Sequence, residues 1–467
     1  MSESPVEPES GRASAWISPA LVVLGMAGAA ALWWTGPEAE SGAWAPAFLR
    51  GYFLAWLCYV IAAVAVTRTR RLPRWALLWI VIAAIAMRLI GLAHTPPLST
   101  DVWRYVWDGR VTNAGLNPYR YAPEAPQVSH LRNENWRHIN FKQIPTIYPP
   151  AAELLFAGLA RVRDSDAEAF RWSFALFDMG SVLLLIALLR RTGRRPERVI
   201  WYAWCPLPVT ELTAGAHVDA FGLFLLLAAL VLAGRGREVS GRKSGRAGGG
   251  RKSGRAGSAL ALAVAVMSKG YAVLTIPFFA RRLGWRALAL VALACIVLLA
   301  PFAPAGWHLF GGLSAYLARW ERNASLFLIA DRMLAHVTPD HFAVARVGSI
   351  ALVLAVVVWL ARRQRGDLEG LLACVFAAFG AQLFIGAPTL PWYVVWLIPA
   401  LCWWSIPGLA LFSLTVSAQY YARWLYPGNG ADIPLLWAGY TPVYALLIGQ
   451  LIWWWARARR SEPSHRP

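Results

Sequence analysis

The sequence predicts an all-α protein, a bundle of membrane-spanning helices, and three observations carry that prediction. Hydrophobic residues make up 58% of the 467 residues and the mean hydropathy is +0.45, which is far too apolar for a soluble globular protein. Only 15% of the residues are charged, yet the net charge is +20. Charge confined to short loops and tails, with Arg in excess on one side of a bilayer, explains both values. The 26 Trp residues fit aromatic belts at the membrane surfaces.

The distribution of charge and cysteine excludes other classes. Basic residues punctuate apolar runs and form no long basic face, so nucleic acid is excluded as a partner and membrane lipids are predicted. The five cysteines lie in or beside apolar stretches, and none has CxxC spacing. They are predicted to be small buried apolar residues that form neither a disulfide framework nor a metal site.

Apolar runs long enough to cross a membrane recur along the chain. A helix needs about 20 apolar residues to cross the hydrocarbon core, and the runs predict about 12 to 14 helices. The strongest runs are Ile17–Trp34, Phe48–Val66, Ala76–Ala93, Phe170–Leu189, Phe221–Ala233, Leu260–Ala280, Leu288–Phe302, Val347–Leu360, Leu371–Ile385, Tyr393–Trp404, Pro407–Ala418 and Leu435–Trp455. Shorter or interrupted runs are Ile147–Ala160, Val199–Leu212 and Leu326–His336.

The arginine pattern predicts the orientation and the domain organisation. Thr67–Arg74 holds four arginines and Gly36–Pro46 holds none, so the first of these loops is predicted to face the cytoplasm. The third helix then runs outward and delivers an external loop, 94–144. We expect a multi-pass protein of the cell inner (plasma) membrane, with one transmembrane domain over 16–456 between cytoplasmic tails at 1–15 and 457–467.

Two features of this organisation stay open or irregular. The octapeptide GRKSGRAG occurs at Gly241–Gly248 and again at Gly250–Gly257, and its composition predicts a flexible basic linker over 235–257. Further basic loops lie at Arg190–Arg198, Arg281–Arg286 and Arg362–Arg365. They cannot all face the cytoplasm if the run at 147–160 spans the membrane. Either that run is re-entrant or one basic loop faces outward.

The external loop contains the clearest local pattern, STDVWRYVWDGRVTNAG over Ser99–Gly115. Helical spacing predicts a short amphipathic helix that lies along the membrane surface, Trp side toward the lipid. One face would hold Val102, Trp103, Val106 and Trp107, and the other would hold Asp101, Arg104, Tyr105 and Asp108.

The polar face of this helix suits glycosyl transfer. A carboxylate can act as a general base that takes the proton of an acceptor hydroxyl as its oxygen attacks a sugar's anomeric carbon. Arg104 or Arg110 can neutralise the charge that builds on a departing phosphate. The alternative is an ordinary surface helix whose Asp–Arg contacts only fix its shape.

Several strings of the sequence resemble one family. STDVWRYVWDGRVTNAGLNPYRYAP and PTIYPP are similar to sequences of the bacterial polyprenyl-phosphate-mannose-dependent mannosyltransferases, which belong to the GT-C superfamily of membrane glycosyltransferases. AHVDAF, MSKGYAVLTIP and PWYVVWLIP, at 216–221, 267–277 and 391–399, also resemble their intramembrane motifs. In that superfamily an essential Asp lies in the first large external loop, where this chain has Asp101. Several GT-C families carry adjacent acidic residues there, whereas this chain has Thr100-Asp101-Val102.

The resemblance implies an inverting transfer of a hexose, mannose above all, from a polyprenyl-phosphate donor to a lipid- or glycan-linked acceptor on the extracytoplasmic face. Asp101 would be the general base. Lys269, which lies within an apolar run, would contact the lipid phosphate, because a charge there is costly unless it faces a partner or a cavity. The predicted substrate-binding residues are Arg104, Tyr105, Asp108, Arg110, Asn117, Tyr119, Tyr148, His217, Asp219, Lys269, Trp392 and Tyr393.

Other readings of the same features stay open. A flippase or transporter of a lipid-linked saccharide would also explain the helices and the buried lysine, although the 99–120 pattern has no second copy in the C-terminal half. A polymerase or ligase that uses a diphosphate-linked glycan is a third reading. No metal ligand is predicted and no cofactor is required, and a role for a divalent metal stays open.

Overall fold

The computed structural model describes residues 10–34, 44–93, 98–162, 166–234, 247–425 and 433–460. Within these ranges the chain consists of helices and connecting loops, with no β-strand, as the sequence predicts. The first six helices are α1 (Ser10–Trp34), α2 (Trp44–Arg68), α3 (Ala76–Ala93), α4 (Asp101–Asn113), α5 (Pro150–Val162) and α6 (Ala167–Arg191).

The middle of the chain is more broken. Short helices alternate with 3₁₀ turns and with a π-helix at Val209–Ala214. The helices are α7 (Ile200–Ala203), α8 (Pro206–Pro208), α9 (Asp219–Gly234), α10 (Ala247–Val266), α11 (Ile276–Leu283), α12 (Trp285–Leu299), α13 (Gly311–Arg319) and α14 (Leu326–Leu334). The remaining ones are α15 (His341–Arg363), α16 (Leu368–Ile385), α17 (Pro391–Val394), α18 (Pro407–Thr415), α19 (Ala418–Leu425) and α20 (Ile433–Arg460).

The number of spans is smaller than the sequence predicts. Seven helical stretches of the described residues are long and apolar enough to cross a membrane, or eight if Pro206–Ala214 and Asp219–Gly234, bent by 118°, form one broken span. Three shorter apolar helices lie at Pro19–Trp33, Ser253–Val266 and Pro391–Cys402. The sequence predicted about 12 to 14 helices because it included several apolar runs that Pro and Gly residues divide. The helices that result are too short to cross a membrane.

Two local predictions in the middle of the chain are wrong. The linker predicted over 235–257 is helical from residue 247 onward, where α10 begins, and 235–246 lie outside the described residues. Five of the eleven residues at 247–257 are glycines, which are poor helix formers, so this part of α10 continues the helix of the apolar run at 258–266 and does not follow from its own propensity. Lys269 does not lie inside a helix. It follows α10 in extended conformation and precedes a 3₁₀ turn at Gly270–Thr275.

The arginines of the short loops gather at one end of the bundle, where they donate to main-chain carbonyls of neighbouring loops. Arg195 donates to Val66 O at 2.5 Å, and Arg198 donates to Cys402 O at 2.6 Å. Contacts of the same kind join Arg191 to Val231, Arg281 to Ala361 and Arg282 to Gly366. The basic loops after α2, α6, α11 and α15 therefore share one end.

Residues 98–162 lie at the opposite end. The 18 residues of α3 separate this segment from the loop at 69–75 by about 27 Å. Arg171, near the start of α6, donates to Leu92 O at 2.8 Å and to Gly91 O at 3.1 Å. The chain thus leaves α3 and enters α6 at the same end. Because α5 has only 13 residues and does not cross, the basic loops can all share the other end, which the sequence alone left open.

Candidate active site

Asp101 is the first residue of α4, and its carboxylate is partly exposed, at 20% of its side-chain surface. The Asp101 backbone N–H donates to Ser99 Oγ at 3.2 Å, which fixes the entry into the helix. Asn140 Nδ2 donates to Asp101 Oδ1 at 2.9 Å from the far end of the external segment. A carboxylate in the first turn also faces the positive end of the helix dipole. Asp101 is therefore held in position while it keeps access to solvent or substrate.

A close contact between helices sets the position of α4. A Cβ added at Gly109 would lie 2.3 Å from Phe156 O, so only glycine lets α4 approach the backbone of α5 this closely. One turn earlier, the Tyr105 ring stacks on the Phe156 ring with centroids 4.6 Å apart. Tyr105 is buried and meets the Tyr148 ring edge-on at 5.0 Å. These contacts fix α4 as a packed element of the protein.

The Trp face of α4 does not rest on lipid, so that part of the sequence prediction is wrong. Trp107 and Val111 pack with Val128 and Ile139 in a small separate core, and Trp103 borders it. Residues 116–139 fold back over this face. The helical period identified an apolar face, but it does not say whether protein or membrane covers it.

The polar face of α4 turns into the protein. Arg104 Nε lies 2.8 Å from Asp108 Oδ2 and 2.9 Å from Oδ1, and Arg104 Nη1 donates to Ile144 O at 3.0 Å. Both side chains are almost fully buried. Burial raises the pKa of Asp108, and the Arg104 charge opposes that rise.

A second buried carboxyl lies close to this ion pair. Glu153, in the first turn of α5, accepts a hydrogen bond from Thr146 Oγ1 at 2.6 Å through its Oε1 atom, and it is fully buried. Its pKa is raised well above the ordinary value, first by burial and then by the Asp108 charge. Arg104, Asp108 and Glu153 thus form an internal polar cluster that supports the loop behind Asp101.

The backbone at 209–218 is irregular, and this irregularity aims a histidine at Asp101. The π-helix ends at Ala214, Ala216 has φ +51°, and the chain then turns into α9. Non-glycine residues with positive φ are uncommon, and π-helices are frequent at functional sites. His217, which follows this turn, is completely buried.

His217 lies between a main-chain carbonyl and the Asp101 carboxylate. Its Nδ1 is 2.8 Å from Glu211 O, to which it donates, so Nε2 is the nitrogen that faces Asp101. Nε2 is 3.9 Å from Asp101 Oδ2 and has no hydrogen-bond partner in the described part of the chain. The His217 ring stacks on Trp392 with centroids 4.0 Å apart. The imidazole ring is therefore held by stacking on one face and by a hydrogen bond at Nδ1.

A lysine lies next to this histidine. Lys269 Nζ is 2.9 Å from Asp219 Oδ2, and Trp396 Nε1 donates to Asp219 Oδ1 at 2.7 Å. The ammonium lies 4.9 Å from the ring centre of Tyr393 and 5.9 Å from that of Tyr148. Lys269 keeps 13% of its side-chain surface exposed, so its charge is accessible from the site.

The site residues predicted from the sequence thus divide into two groups. The structure brings eight of them together in one site: Asp101, Tyr105, Tyr148, His217, Asp219, Lys269, Trp392 and Tyr393. Others make internal contacts. Arg104 and Asp108 bind each other, Asn117 Nδ2 donates to Phe302 O at 3.1 Å, and Tyr119 donates to Tyr148 O at 2.6 Å. Arg110 lies half-buried on α4.

Sequence reasoning missed three residues that position the site. Asn140 binds Asp101, Trp396 binds Asp219, and the carbonyl of Glu211 orients His217. Trp396 belongs to the PWYVVWLIP string, which offered a signal. Asn140 lies in an irregular loop, and the Glu211 contact is made by the main chain, so no pattern points to either. Across the described residues, no group of three or more His, Cys, Asp or Glu side chains could hold a metal ion.

Comparison with known proteins places the chain. A family model described as "Alpha-(1->6)-mannopyranosyltransferase, N-terminal domain" matches residues 13–287. A probable alpha-(1->6)-mannopyranosyltransferase of Mycolicibacterium smegmatis is 25% identical over 399 residues, which cover 76% of this chain and 69% of that protein.

Among solved structures, ArnT from Cupriavidus metallidurans bound to undecaprenyl phosphate is similar with a TM-score of 0.43 and 15% identity, over 84% of this chain and 72% of ArnT. The Archaeoglobus fulgidus oligosaccharyltransferase is similar with a TM-score of 0.39 and 12% identity, over 81% of this chain and 56% of that chain. The family match confirms the resemblance to mannosyltransferases. This multi-pass membrane protein belongs to the alpha-(1->6)-mannopyranosyltransferase family and is a membrane glycosyltransferase.

Proposed function

We propose that this glycosyltransferase moves mannose from a polyprenyl-phosphate donor to a hydroxyl of a lipid- or glycan-linked acceptor, with inversion, on the extracytoplasmic face. Asp101 is the general base. The observation that carries this proposal is a partly exposed carboxylate, oriented by Asn140 and His217, beside a lysine that can meet a phosphate.

The general-base role suits the chemistry of Asp101. Its Oδ1 already accepts a hydrogen bond from Asn140, so Oδ2 is the oxygen that can take a proton from an acceptor hydroxyl. His217 Nε2 lies 3.9 Å from that same oxygen. The fixed imidazole therefore limits the directions from which a hydroxyl can approach Oδ2.

The donor phosphate is assigned to Lys269. Asp219 accepts from this ammonium and the Tyr148 and Tyr393 rings border it, and the partly exposed ammonium has further N–H donors that can bind a phosphate oxygen. Lys269, Asp219 and Asp101 all act electrostatically on His217, which supports placing donor and base in one site.

The bond changes balance as follows. The acceptor oxygen forms a bond to the anomeric carbon and loses its proton to Asp101. The bond from that carbon to the phosphate oxygen breaks, and its electron pair stays on the phosphate. The products are an inverted glycoside and polyprenyl phosphate, and the proton leaves Asp101 for water or for the phosphate.

The contrast between the two ends of the bundle supports the extracytoplasmic face as the side of the active site. The arginine-rich loops that share one end favour the cytoplasm for that end. Asp101 and Lys269 belong to the other end, which the 18 residues of α3 separate from the first basic loop. A site at that end meets a donor whose sugar head group lies on the outer surface.

The test of this proposal is the substitution Asp101→Asn. The purified protein is reconstituted in proteoliposomes with labelled polyprenyl-phosphate mannose and an octyl mannoside as acceptor. We expect the wild type to form a new glycoside of inverted configuration and Asp101→Asn to lose transfer by roughly 100- to 10,000-fold, the usual contribution of a general base. Asp340→Asn is the matched control, because Asp340 is exposed and its side chain does not cap α15.

Each outcome decides something. Normal turnover by Asp101→Asn, with the protein inserted and folded, would remove Asp101 from the reaction. A wild type that only moves the labelled donor across the bilayer would be a transporter. Transfer that requires a diphosphate-linked donor would identify the protein as a polymerase or ligase.

A further inference from the structure

Three aromatic rings form a row that begins one residue after Asn140, and they take no part in the mechanism described so far. The ring of Phe141 meets the ring of Trp320 edge-on with centroids 4.5 Å apart, and Trp320 stacks on Tyr316 at 5.6 Å. Phe141 directly follows Asn140, the residue that binds Asp101. The row of rings therefore begins at the residue next to the one that binds the general base.

Phe141 is held in a conformation that bulky residues avoid. Its φ is +49°, in the left-handed region, and 44% of the residue remains exposed. Such a backbone conformation is unfavourable for a bulky residue and persists at positions that the surrounding structure fixes, which cluster at functional sites. The strain presents an aromatic ring at the surface of the site, where an apolar core position would bury it.

Trp320 is held from the opposite side. Arg346 Nη2 donates to Trp320 O at 2.6 Å, and Asn323 Nδ2 donates to Thr389 O at 2.9 Å. Asn323 itself has φ +52°. These bonds tie the turn after α13 to the segment that leads into α17, whose Trp392 stacks on His217. The backbone of Trp320 is therefore tied to the segment of Trp392, and its ring packs between those of Phe141 and Tyr316.

The rings form an ordered path across the site. Tyr316 Oη lies 2.8 Å from Tyr393 Oη, and Tyr393 borders the Lys269 ammonium at 4.9 Å. The order along this path is Asp101, Asn140, Phe141, Trp320, Tyr316, Tyr393 and Lys269. The row therefore joins the residue that binds the general base to the residue that borders the lysine, and His217 lies between the same two groups on the other side of the site.

We propose that Phe141 and Trp320 form the subsite that binds the sugar ring of the acceptor, an inference that rests on the proposed function. In a displacement with inversion the acceptor hydroxyl lies near the base and the leaving phosphate lies away from it. The base end of the path therefore belongs to the acceptor, and the Tyr393 end belongs to the donor. The C–H face of a pyranose packs on an aromatic ring while its hydroxyls point away.

Phe141→Ala and Trp320→Ala test this subsite in the reconstituted full-length protein. The donor is polyprenyl-phosphate mannose, and the acceptor is an α-(1->6)-linked dimannoside with an octyl chain. We expect each variant to raise the acceptor KM about tenfold, which corresponds to about 1.4 kcal/mol of lost stacking. The KM for the donor should stay within twofold. Trp320→Phe keeps a ring and should retain most of the acceptor affinity.

Trp307→Ala is the matched control, because Trp307 is 89% exposed and lies outside the row of rings. It should leave both KM values unchanged. An unchanged acceptor KM in Phe141→Ala and Trp320→Ala would overturn the subsite, as would a rise in the donor KM alone, which would assign the rings to the isoprenoid donor. If Trp320→Ala fails to fold, Phe141→Ala decides, since that residue is half exposed.

The outcomes also separate this subsite from the proposed function. If Asp101→Asn keeps transfer activity, the general-base mechanism fails whatever the KM values are. If Asp101→Asn is inactive and the aromatic variants bind the acceptor normally, only the subsite is wrong.

Discussion

The two ends of the bundle use charge in different ways. At the basic end, arginines of several loops donate to main-chain carbonyls, as Arg198 does to Cys402 O, and they remain partly exposed. At the site end, charged side chains bind one another in the interior, as Arg104 binds Asp108 and Lys269 binds Asp219. The first arrangement satisfies helix-end carbonyls and leaves a net positive surface. The second fixes side chains relative to one another with little net charge.

The arginines at one end help to orient the protein in the membrane, whereas the paired charges at the other end position the side chains of the candidate site. A positive end needs only an excess of arginine near the membrane, so its individual contacts are replaceable. A site needs atoms at defined positions, and paired buried charges provide this because each loses much if its partner is removed. Mutations at the two ends should therefore differ in effect.

The largest expected contrast is in accessibility. Ser129→Cys, in the exposed part of the external segment, should react fully with a membrane-impermeant maleimide added to intact cells. Arg74→Cys, exposed at the basic end, should react only after the cells are permeabilised. Labelling of the wild type, with its five native cysteines, supplies the background. The reverse pattern would place Asp101 on the cytoplasmic side and end the extracytoplasmic mechanism.

The next effect is on stability at the site end. Asp108→Ala leaves Arg104 buried without its carboxylate, so we expect a loss of about 3–5 kcal/mol, measured as a lower midpoint of thermal inactivation. Glu369→Ala, at the basic end, breaks the 2.6 Å ion pair with Arg194, whose two side chains are partly exposed, and it should cost less than about 1 kcal/mol. Replacing both buried partners, as Arg104→Met with Asp108→Leu, should recover much of the loss. Equal effects of the two single variants would refute the contrast.

A further expected effect depends on pH. Because burial raises the pKa of Glu153, the folded protein holds its proton more tightly than the unfolded chain does. Stability is then complete below the unfolded pKa of about 4.3 and falls by up to about 1.4 kcal/mol per pH unit toward the raised folded pKa. Glu153→Gln should remove this dependence and be the more stable protein at pH 8, by thermal inactivation. Glu134→Gln, at an exposed position, should follow the wild type, and a parallel decline in Glu153→Gln would exclude Glu153 as the cause.

The sequence was sufficient for the helical class, for the mannosyltransferase family and for the position of Asp101 at a helix start. Charge patterning and the quoted strings carried those predictions. The sequence did not predict the surroundings of α4. A period of 3.6 residues distinguishes an apolar face from a polar face, but it does not indicate whether protein or lipid covers each face. Trp107 therefore packs on Val128 and Ile139, which belong to a loop without periodic pattern.

Contacts between distant segments account for the other differences. Lys269 looked like a charge inside a long apolar helix, but the chain breaks there and the ammonium binds Asp219, 50 residues away. Asn140 approaches Asp101 from 39 residues away. Neither pairing has a local signature. The sequence also did not predict the break between Pro206–Ala214 and α9, because composition does not distinguish a π-helix from an α-helix.

The contact between Gly109 and Phe156 has a consequence for how the enzyme is aligned. Asp101 stands at the free start of α4, whereas the tightest backbone contact of that helix lies eight residues further on, about 12 Å along its axis. The close contact at Gly109 therefore determines where the start of α4 lies relative to α5. The position of the carboxylate that we propose as the general base thus depends on a glycine about 12 Å away along the helix.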